Sequence, residues 1–287
     1  MGTSVVLIIA GAASMYVGAA LATLLFGYIP AAAVAWLRVL GAAACLLAWR
    51  RPSLRTWTRR DFAVAAGLGV FAALMNVLFY QALVRLPLGT AVAIEFVGPV
   101  LVAAFGMRSW RDAGALAAAA AGVFLIADVH WTGSRAGLFA GIGAAACWAL
   151  YIAIGKKAAV TASGVDKLAV GLAIATVILS PLAVTLGPAF DPTAPTLIIL
   201  LLGIGLGIAS NAIPYSIDQV VLARISQSLF ALLLALLPLT ATVIGYLALG
   251  QKPGLLELVG VAAIVSGVLL GAPDGAWIRS TRRNGHR

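Results

Sequence analysis

The sequence predicts an all-α integral membrane protein with ten transmembrane helices, arranged as two five-helix repeats of inverted topology. Of its 287 residues, 63% are hydrophobic and 10% are charged, and the mean hydropathy is +1.08. These values exclude an ordinary soluble domain. Apolar stretches of about twenty residues, the helical length that crosses the hydrocarbon core of a bilayer, recur between short connections. One of these stretches also occurs twice.

The duplicated segment covers 85–106 and 224–245, which are offset by 139 residues, close to half the chain. Both copies begin with Arg, carry Pro fourteen residues later and end with Gly twenty-one residues after the Arg. A duplicated, proline-interrupted membrane segment is typical of transporters built from internal repeats. The prolines predict helix breaks at Gly98, Pro99 and Pro238.

The ten spans are bounded by Gly- and Pro-containing connections that are too short for a soluble domain. We place the spans at 3–25, 31–49, 62–84, 88–106, 113–128, 137–155, 168–187, 196–219, 229–249 and 255–272. Pro214 predicts a further helix break within the eighth span. The two repeats then cover 1–134 and 135–275, and a basic tail follows at 276–287.

The basic residues predict that both termini are cytoplasmic. Of the nineteen Lys and Arg residues, fifteen then lie in inside loops or the tail and three lie in outside loops, while Arg38 lies within a span. Cytoplasmic loops are enriched in Lys and Arg, so this bias favours the orientation. Because each half has an odd number of spans, the second half enters the membrane from the opposite side. Inverted repeats of this kind place the substrate site near the midplane, where the halves meet.

Two ionisable side chains, Arg38 and Glu95, lie seven residues into the second and fourth spans. Both spans run from outside to inside, so each residue is about 10 Å below the outer end of its helix. Equal depth allows a pair between them. A charge inside a span is costly and usually belongs to a substrate or ion pathway. The alternative is a static ion pair that only locks two helices together.

Other polar side chains extend the predicted pathway on the third and eighth spans. They are Asn76, Tyr80 and Gln81 on the third span and Asn211, Tyr215 and Asp218 around the proline of the eighth. The two asparagines have interhelical hydrogen bonding as an alternative role. For Asp218, which is close to the cytoplasmic end, the alternative role is that of an interfacial acid within reach of water.

Three segments, 75–106, 143–157 and 209–250, resemble the EamA family of the drug/metabolite transporter superfamily. The most specific pieces are the PLGTAVAIEFVGP run at 87–99 and the IPYS run at 213–216. Within that family the likeness is greatest to the bacterial inner-membrane exporters of threonine and homoserine. The resemblance implies ten helices, inverted halves and efflux of small metabolites from the cell across the inner (plasma) membrane by proton exchange.

The same resemblance implies that Arg38, Glu95 and Asp218 occupy polar positions of the exporter pattern. The pattern departs at Leu237 and Gln251, where the exporters usually carry an acid. We therefore expect a secondary transporter that exports amino acids such as threonine or homoserine. The alternative within this class is a DMT exporter of a different small metabolite or a drug-like solute.

Other function classes fit less well. An intramembrane enzyme is disfavoured because His130 and His286 lie outside the spans and no GxSxG motif occurs. A channel would favour repeated polar pore-lining residues over inverted halves. The sequence has no Walker motif and no Cys/His cluster, so we expect no cofactor and no metal. The expected partners are the substrate and membrane lipid, without nucleic acid, and a homodimer is left open.

Overall fold

A computed structural model of the chain describes residues 2–22, 25, 27–86, 88–107, 109–126, 134–161, 163–192, 194–237, 240 and 254–271. Every regular element in these ranges is helical. This agrees with the apolar composition, because a segment in lipid must satisfy its backbone hydrogen bonds internally. The predicted break at Pro238, the position of Gln251 and the tail at 276–287 lie outside the described residues.

The first half forms five helices that match the first five predicted spans. They are α1 (Gly2–Ala22), α2 (Ala31–Arg50), α3 (Arg59–Leu83), α4 (Leu88–Phe105) and α5 (Trp110–Ile126). Their bounds differ from the predicted ones by no more than three residues. A short 3-10 helix, Leu54–Thr56, lies between α2 and α3.

The second half is more interrupted. Its α-helices are α6 (Arg135–Ala159), α7 (Gly164–Ile178), α8 (Thr196–Gly207), α9 (Ile213–Arg224), α10 (Gln227–Leu233) and α11 (Leu255–Gly271). A 3-10 helix, Ser180–Phe190, follows α7, and a π-helical segment, Ile208–Ala212, joins α8 to α9. Most of the ninth predicted span beyond α10 lies outside the described residues.

Several of these helices are long and apolar enough to cross a membrane, judged by length and composition. They are Ala31–Arg50, Arg59–Leu83, Arg135–Ala159 and the continuous unit Thr196–Arg224, with α7 and its following 3-10 helix as a fifth if they form one span. Shorter apolar helices occur at Gly2–Met15, Ile94–Phe105 and Leu258–Leu270. The described part of the chain is therefore that of a multi-pass membrane protein.

The seventh predicted span is not one straight helix. After Ile178 the chain bends by 69° into the 3-10 helix Ser180–Phe190. Pro181 explains the bend, because proline has no N–H to donate and disfavours the α conformation of the residue before it. The prediction of a single helix over 168–187 was therefore wrong.

The predicted proline breaks have two different outcomes. α4 continues through Gly98 and Pro99 to Phe105, so the prediction of a break there was wrong. Gly98 lies directly against the Ala145 carbonyl of α6, and close packing by a neighbouring helix supports a helix around a proline. At Pro214 the interruption takes the form of the π-helical segment just before it, because proline cannot donate to the preceding turn.

Side-chain caps fix where three helices begin. Thr58 and Asp61 form a reciprocal capping box at the start of α3. Ser134 and Ser226 each accept a hydrogen bond from a backbone N–H in the first turn of α6 and α10, respectively. These polar residues precede apolar runs, so the starts of these helices follow from the sequence.

Glycines allow the helices to cross closely. α3 packs against α6 and α7, α2 packs against α7 and α8, and α5 packs mainly against α11. Gly69 and Gly171 meet where α3 crosses α7, and Gly207 of α8 lies against the backbone of Arg38 on α2. The backbone of α2 around Arg38 is thereby held against the π-helical end of α8.

The contacts between α5 and α11 are reciprocal. A Cβ added to Gly122 would lie 2.5 Å from the carbonyl oxygen of Gly260, and one added to Gly267 would lie 2.6 Å from that of Ala115. From Ala115 to Gly122 the residue numbers on α5 increase, whereas those of the contacted residues on α11 decrease from Gly267 to Gly260. The two helices are therefore antiparallel. Neither glycine has room for a side chain.

Two ion pairs join α2, α3 and α7. Arg50 Nε lies 2.7 Å from Asp166 Oδ1, and Lys167 Nζ lies 2.7 Å from Asp61 Oδ1. Lys167 is 3% exposed and also donates to the Thr161 hydroxyl at 3.0 Å. A buried cation depends on its partner much more than an exposed one does, so the two pairs differ in importance.

We expect Asp61→Asn to lower the thermal unfolding midpoint of the detergent-solubilised protein by several degrees. The asparagine keeps an acceptor for the Thr58 cap but leaves the buried Lys167 ammonium without its counter-charge. Asp166→Asn is the matched control, because Arg50 remains solvated when it loses its partner. Equal shifts for the two variants, measured by differential scanning fluorimetry, would contradict this assignment.

Candidate functional site

The guanidinium of Arg38 on α2 is buried, with 6% of the residue exposed. One terminal nitrogen donates to the hydroxyl of Tyr80 on α3, and the other donates to Asn211 Oδ1 at 2.8 Å. The guanidinium carbon lies 5.2 Å from the centre of the Tyr80 ring. Nε has no hydrogen-bond partner among the described residues. Two neutral groups, one from each half of the chain, therefore fix this cation.

A second contact between the halves joins α3 to α9. Asn76 Nδ2 donates to the hydroxyl of Tyr215 at 2.6 Å and to the carbonyl oxygen of Ala72 at 2.8 Å. Both donor bonds of the amide are thus used within a buried environment. Asn76 and Tyr80 are one helical turn apart, so α3 presents both to the same interior face.

A tyrosine of α6 completes the arrangement. The hydroxyl of Tyr151 donates to Asp218 Oδ2 at 3.0 Å. The rings of Tyr151 and Tyr215 lie 5.3 Å apart between centroids. Tyr151 is fully buried, whereas Asp218 is partly accessible. We call Arg38, Asn76, Tyr80, Tyr151, Asn211, Tyr215 and Asp218 the central polar cluster.

The π-helical segment positions Asn211 in this cluster. Wide helical turns of this kind are frequent at functional sites. Ser14 of α1 donates to the carbonyl oxygen of Ala209 at 2.7 Å, and Ser210 donates to that of Leu206 at 2.8 Å. These bonds satisfy backbone groups around the π turn, which stabilises the irregular backbone inside the bundle.

Glu95 lies near the cluster without joining its hydrogen bonds. The residue is partly buried. Its helix, α4, packs against α6, which carries Tyr151 of the cluster. Among the described residues Glu95 forms no ion pair with Arg38, whose guanidinium contacts Tyr80 and Asn211 instead. The Arg38–Glu95 pair that equal depth allowed is therefore not found among the contacts of the described residues.

Of the residues predicted to line the pathway, six lie in the central polar cluster: Arg38, Asn76, Tyr80, Asn211, Tyr215 and Asp218. Gln81 is not in it, because its side-chain oxygen accepts a hydrogen bond from Arg85 at 2.8 Å. Sequence reasoning missed Tyr151. The available signal was a tyrosine in the middle of an apolar span, because a buried tyrosine hydroxyl needs a partner.

A metal site is not suggested by the described residues, among which no group of three His, Cys, Asp or Glu side chains is close enough to hold an ion. What the cluster can do chemically is bind polar groups. It offers a cation, one partly accessible carboxylate and several hydroxyls, with Glu95 as a further carboxylate outside the cluster, and such intramembrane ionisable groups mark substrate and ion pathways.

Comparisons with known proteins concern the chain as a whole. Residues 135–271 match the model of the EamA-like transporter family. The chain is 31% identical over 266 residues to the threonine/homoserine exporter RhtA of Escherichia coli (strain K12), covering 91% of this chain and 88% of that protein. It is 32% identical to RhtA of Salmonella typhimurium (strain SL1344), covering 88% and 85% of the two chains. A crystal structure with 23% sequence identity superposes with a TM-score of 0.72, covering 94% of this chain and 97% of the other, and so shares the fold.

Proposed function

Because the chain belongs to the EamA-like transporter family, we propose that it exports amino acids such as threonine or homoserine in exchange for protons. The family and the apolar helices make it a multi-pass inner-membrane protein and a transporter of the drug/metabolite type that moves a small molecule. Its relatives are transporters and not enzymes. Substrate and coupling ion are the proposed part.

One observation carries the proposal: a charged and polar cluster is buried between apolar helices and is built from both halves of the chain. Arg38 and Tyr80 come from the first half and Asn211 and Asp218 from the second. Burying these groups in a membrane protein costs free energy, and ionisable groups found in spans despite this cost usually mark a transport pathway. Sites at the junction of two repeats are typical of secondary transporters.

We also propose that the halves are inverted repeats with both termini in the cytoplasm. The reciprocal, antiparallel contacts of Gly122 and Gly267 support a two-fold axis perpendicular to the helices, which for spanning helices lies in the membrane plane. Gly41 lies against the Ile204 carbonyl and Gly171 lies against the Ala65 carbonyl. Ala65 and Ile204, which supply these two carbonyl groups, are 139 residues apart, and this is the offset of the duplicated segment.

The hydrogen bond between Asn76 and Tyr215 supports the same axis. The two residues are 139 residues apart, so each is the repeat equivalent of the other. In a two-fold arrangement a residue contacts its own equivalent only at the axis. The proposed axis therefore passes through the central polar cluster, where alternating access would leave the substrate site fixed.

Asp218 is the proposed proton carrier. It is a carboxylate that is partly accessible and hydrogen-bonded by a single described donor, Tyr151. A carboxylate held in this way binds and releases a proton without dismantling a larger network. Glu95 remains available for the substrate.

The test is transport by inside-out membrane vesicles that contain the overexpressed protein. In such vesicles the cytoplasmic face of the membrane is on the outside, so export moves solute into the lumen. We therefore expect labelled L-threonine and L-homoserine to accumulate when the lumen is acidic, because protons then leave the lumen in exchange. A protonophore should remove the accumulation. Vesicles that move neither amino acid under any gradient would refute the proposed substrates and favour a different small metabolite.

A further inference from the structure

The charge of Arg38 has no counter-ion among the described residues. Its two hydrogen-bond acceptors, the Tyr80 hydroxyl and the Asn211 amide oxygen, are both neutral. An isolated buried cation is strongly unfavourable unless an anion compensates it. Neither Glu95 nor Asp218 forms an ion pair with it among the described residues.

The guanidinium also keeps free hydrogen-bonding capacity. Arginine has five N–H donors in a fixed plane, and the two described bonds use one donor on each terminal nitrogen. Nε is buried and has no hydrogen-bond partner among the described residues. Tyr80 and Asn211 therefore hold the planar fork in place while leaving donors for another acceptor, which is the arrangement that suits a bidentate anion.

We propose that Arg38 binds the carboxylate of the exported solute and that Glu95 binds its ammonium group, so that the site selects zwitterionic α-amino acids. The inference rests on the proposed export function and names the groups that recognise the substrate. Tyr80 and Asn211 act as positioning residues for the guanidinium.

Glu95 suits the second role because its carboxylate is not used inside the protein. Among the described residues it has neither an ion-pair nor a hydrogen-bond partner, and it is only partly buried. Its helix, α4, packs against α6, which carries Tyr151 of the central polar cluster. An unpaired carboxylate on a helix next to the cluster suits the ammonium group of a ligand whose carboxylate is bound by Arg38.

The same charges argue against a phosphorylated solute. A phosphate dianion would need more than one cation, and Arg38 is the one cation of the central polar cluster. Glu95 and Asp218 would repel the second negative charge. A single carboxylate matches one guanidinium in both charge and geometry.

The experiment uses the full-length protein in proteoliposomes and measures inhibition of labelled L-threonine transport by three unlabelled compounds. L-Threonine has both charged groups, L-threoninamide lacks the carboxylate and 3-hydroxybutyrate lacks the ammonium. We expect each analogue to compete at least about 100-fold more weakly than threonine, because a site with buried polar groups rejects a ligand that leaves them unpaired.

Variants then assign each group to its residue. Arg38→Gln should weaken competition by threonine and reduce the preference over threoninamide to below about tenfold, while the preference over 3-hydroxybutyrate is retained. Glu95→Gln should instead reduce the preference for threonine over 3-hydroxybutyrate and retain the preference over threoninamide. Thr176→Val is the control, because Thr176 is buried outside the cluster and its hydroxyl donates within its own helix to Leu172.

The result with the unmodified protein distinguishes a failure of this inference from a failure of the proposed export function. If threoninamide competes as well as threonine with the unmodified protein, the inference is overturned and export itself still stands. The analogue series on the unmodified protein decides this even if Arg38→Gln fails to fold. If the unmodified protein transports no amino acid, the proposed function fails and the inference fails with it.

Discussion

Asp218→Asn is expected to abolish transport driven by a pH gradient while leaving solute exchange intact. The asparagine oxygen still accepts the hydrogen bond from Tyr151, so the packing of α6 against α9 is retained. What is lost is a group that binds and releases a proton, as intramembrane carboxylates do in proton relays. We expect accumulation of labelled threonine in acidified inside-out vesicles to fall to the level found without a pH gradient.

Exchange gives the second half of this test. Vesicles preloaded with unlabelled threonine should take up labelled threonine at a near-normal rate, since exchange needs no net movement of protons. Asp166→Asn is the matched control, because Asp166 pairs with Arg50 away from the central polar cluster. Full gradient-driven accumulation by Asp218→Asn would move the proton site to another residue, and Glu95 would be examined next.

The helices of the first half could be predicted closely because length and composition alone define them. About twenty apolar residues between Gly- and Pro-containing connections leave few choices for where a span begins. The bend after Ile178 could also have been read from Pro181, but the apolar run continues past it and hides the change of direction. Hydropathy measures burial in lipid and does not report backbone direction.

At Pro99 the sequence predicts a helix break that the structure does not have. Proline removes a backbone hydrogen bond, which argues for a break from the sequence alone. In α4 the helix continues, because Gly98 allows α6 to approach and support it. Tertiary contacts of this kind depend on residues almost fifty positions away and are not visible in the local sequence.

The site was predictable as a set of residues but not as a set of pairs. Polar residues in the spans are few, so most members of the cluster stand out. Equal depth allowed an Arg38–Glu95 pair, but depth does not determine which way a side chain points around the helix axis. The structure pairs Arg38 with Tyr80 and Asn211, and the π-helical turn that orients Asn211 has no simple sequence pattern.

Alanine at Gly122 or Gly267 is expected to destabilise the protein by similar amounts. In each case the added Cβ would lie within about 2.6 Å of a backbone carbonyl oxygen of the opposite helix, which can move only if α5 and α11 separate. Overpacking of this kind costs about 1–3 kcal/mol, which alanine's better helix propensity offsets by up to about 1 kcal/mol. The reciprocal contacts predict equal effects.

Gly114→Ala is the control on the same helix, because an added Cβ there would have no atom within 4 Å. It should be neutral or stabilise α5 by up to about 1 kcal/mol through helix propensity. Unfolding of the purified variants in mixed detergent micelles, titrated with SDS, measures all three. The double variant should cost less than the two single changes added together, since one separation of α5 from α11 relieves both contacts. If Gly122→Ala is as mild as Gly114→Ala, or only one of the two crossing glycines is sensitive, then the reciprocal crossing and the two-fold axis drawn through it are wrong.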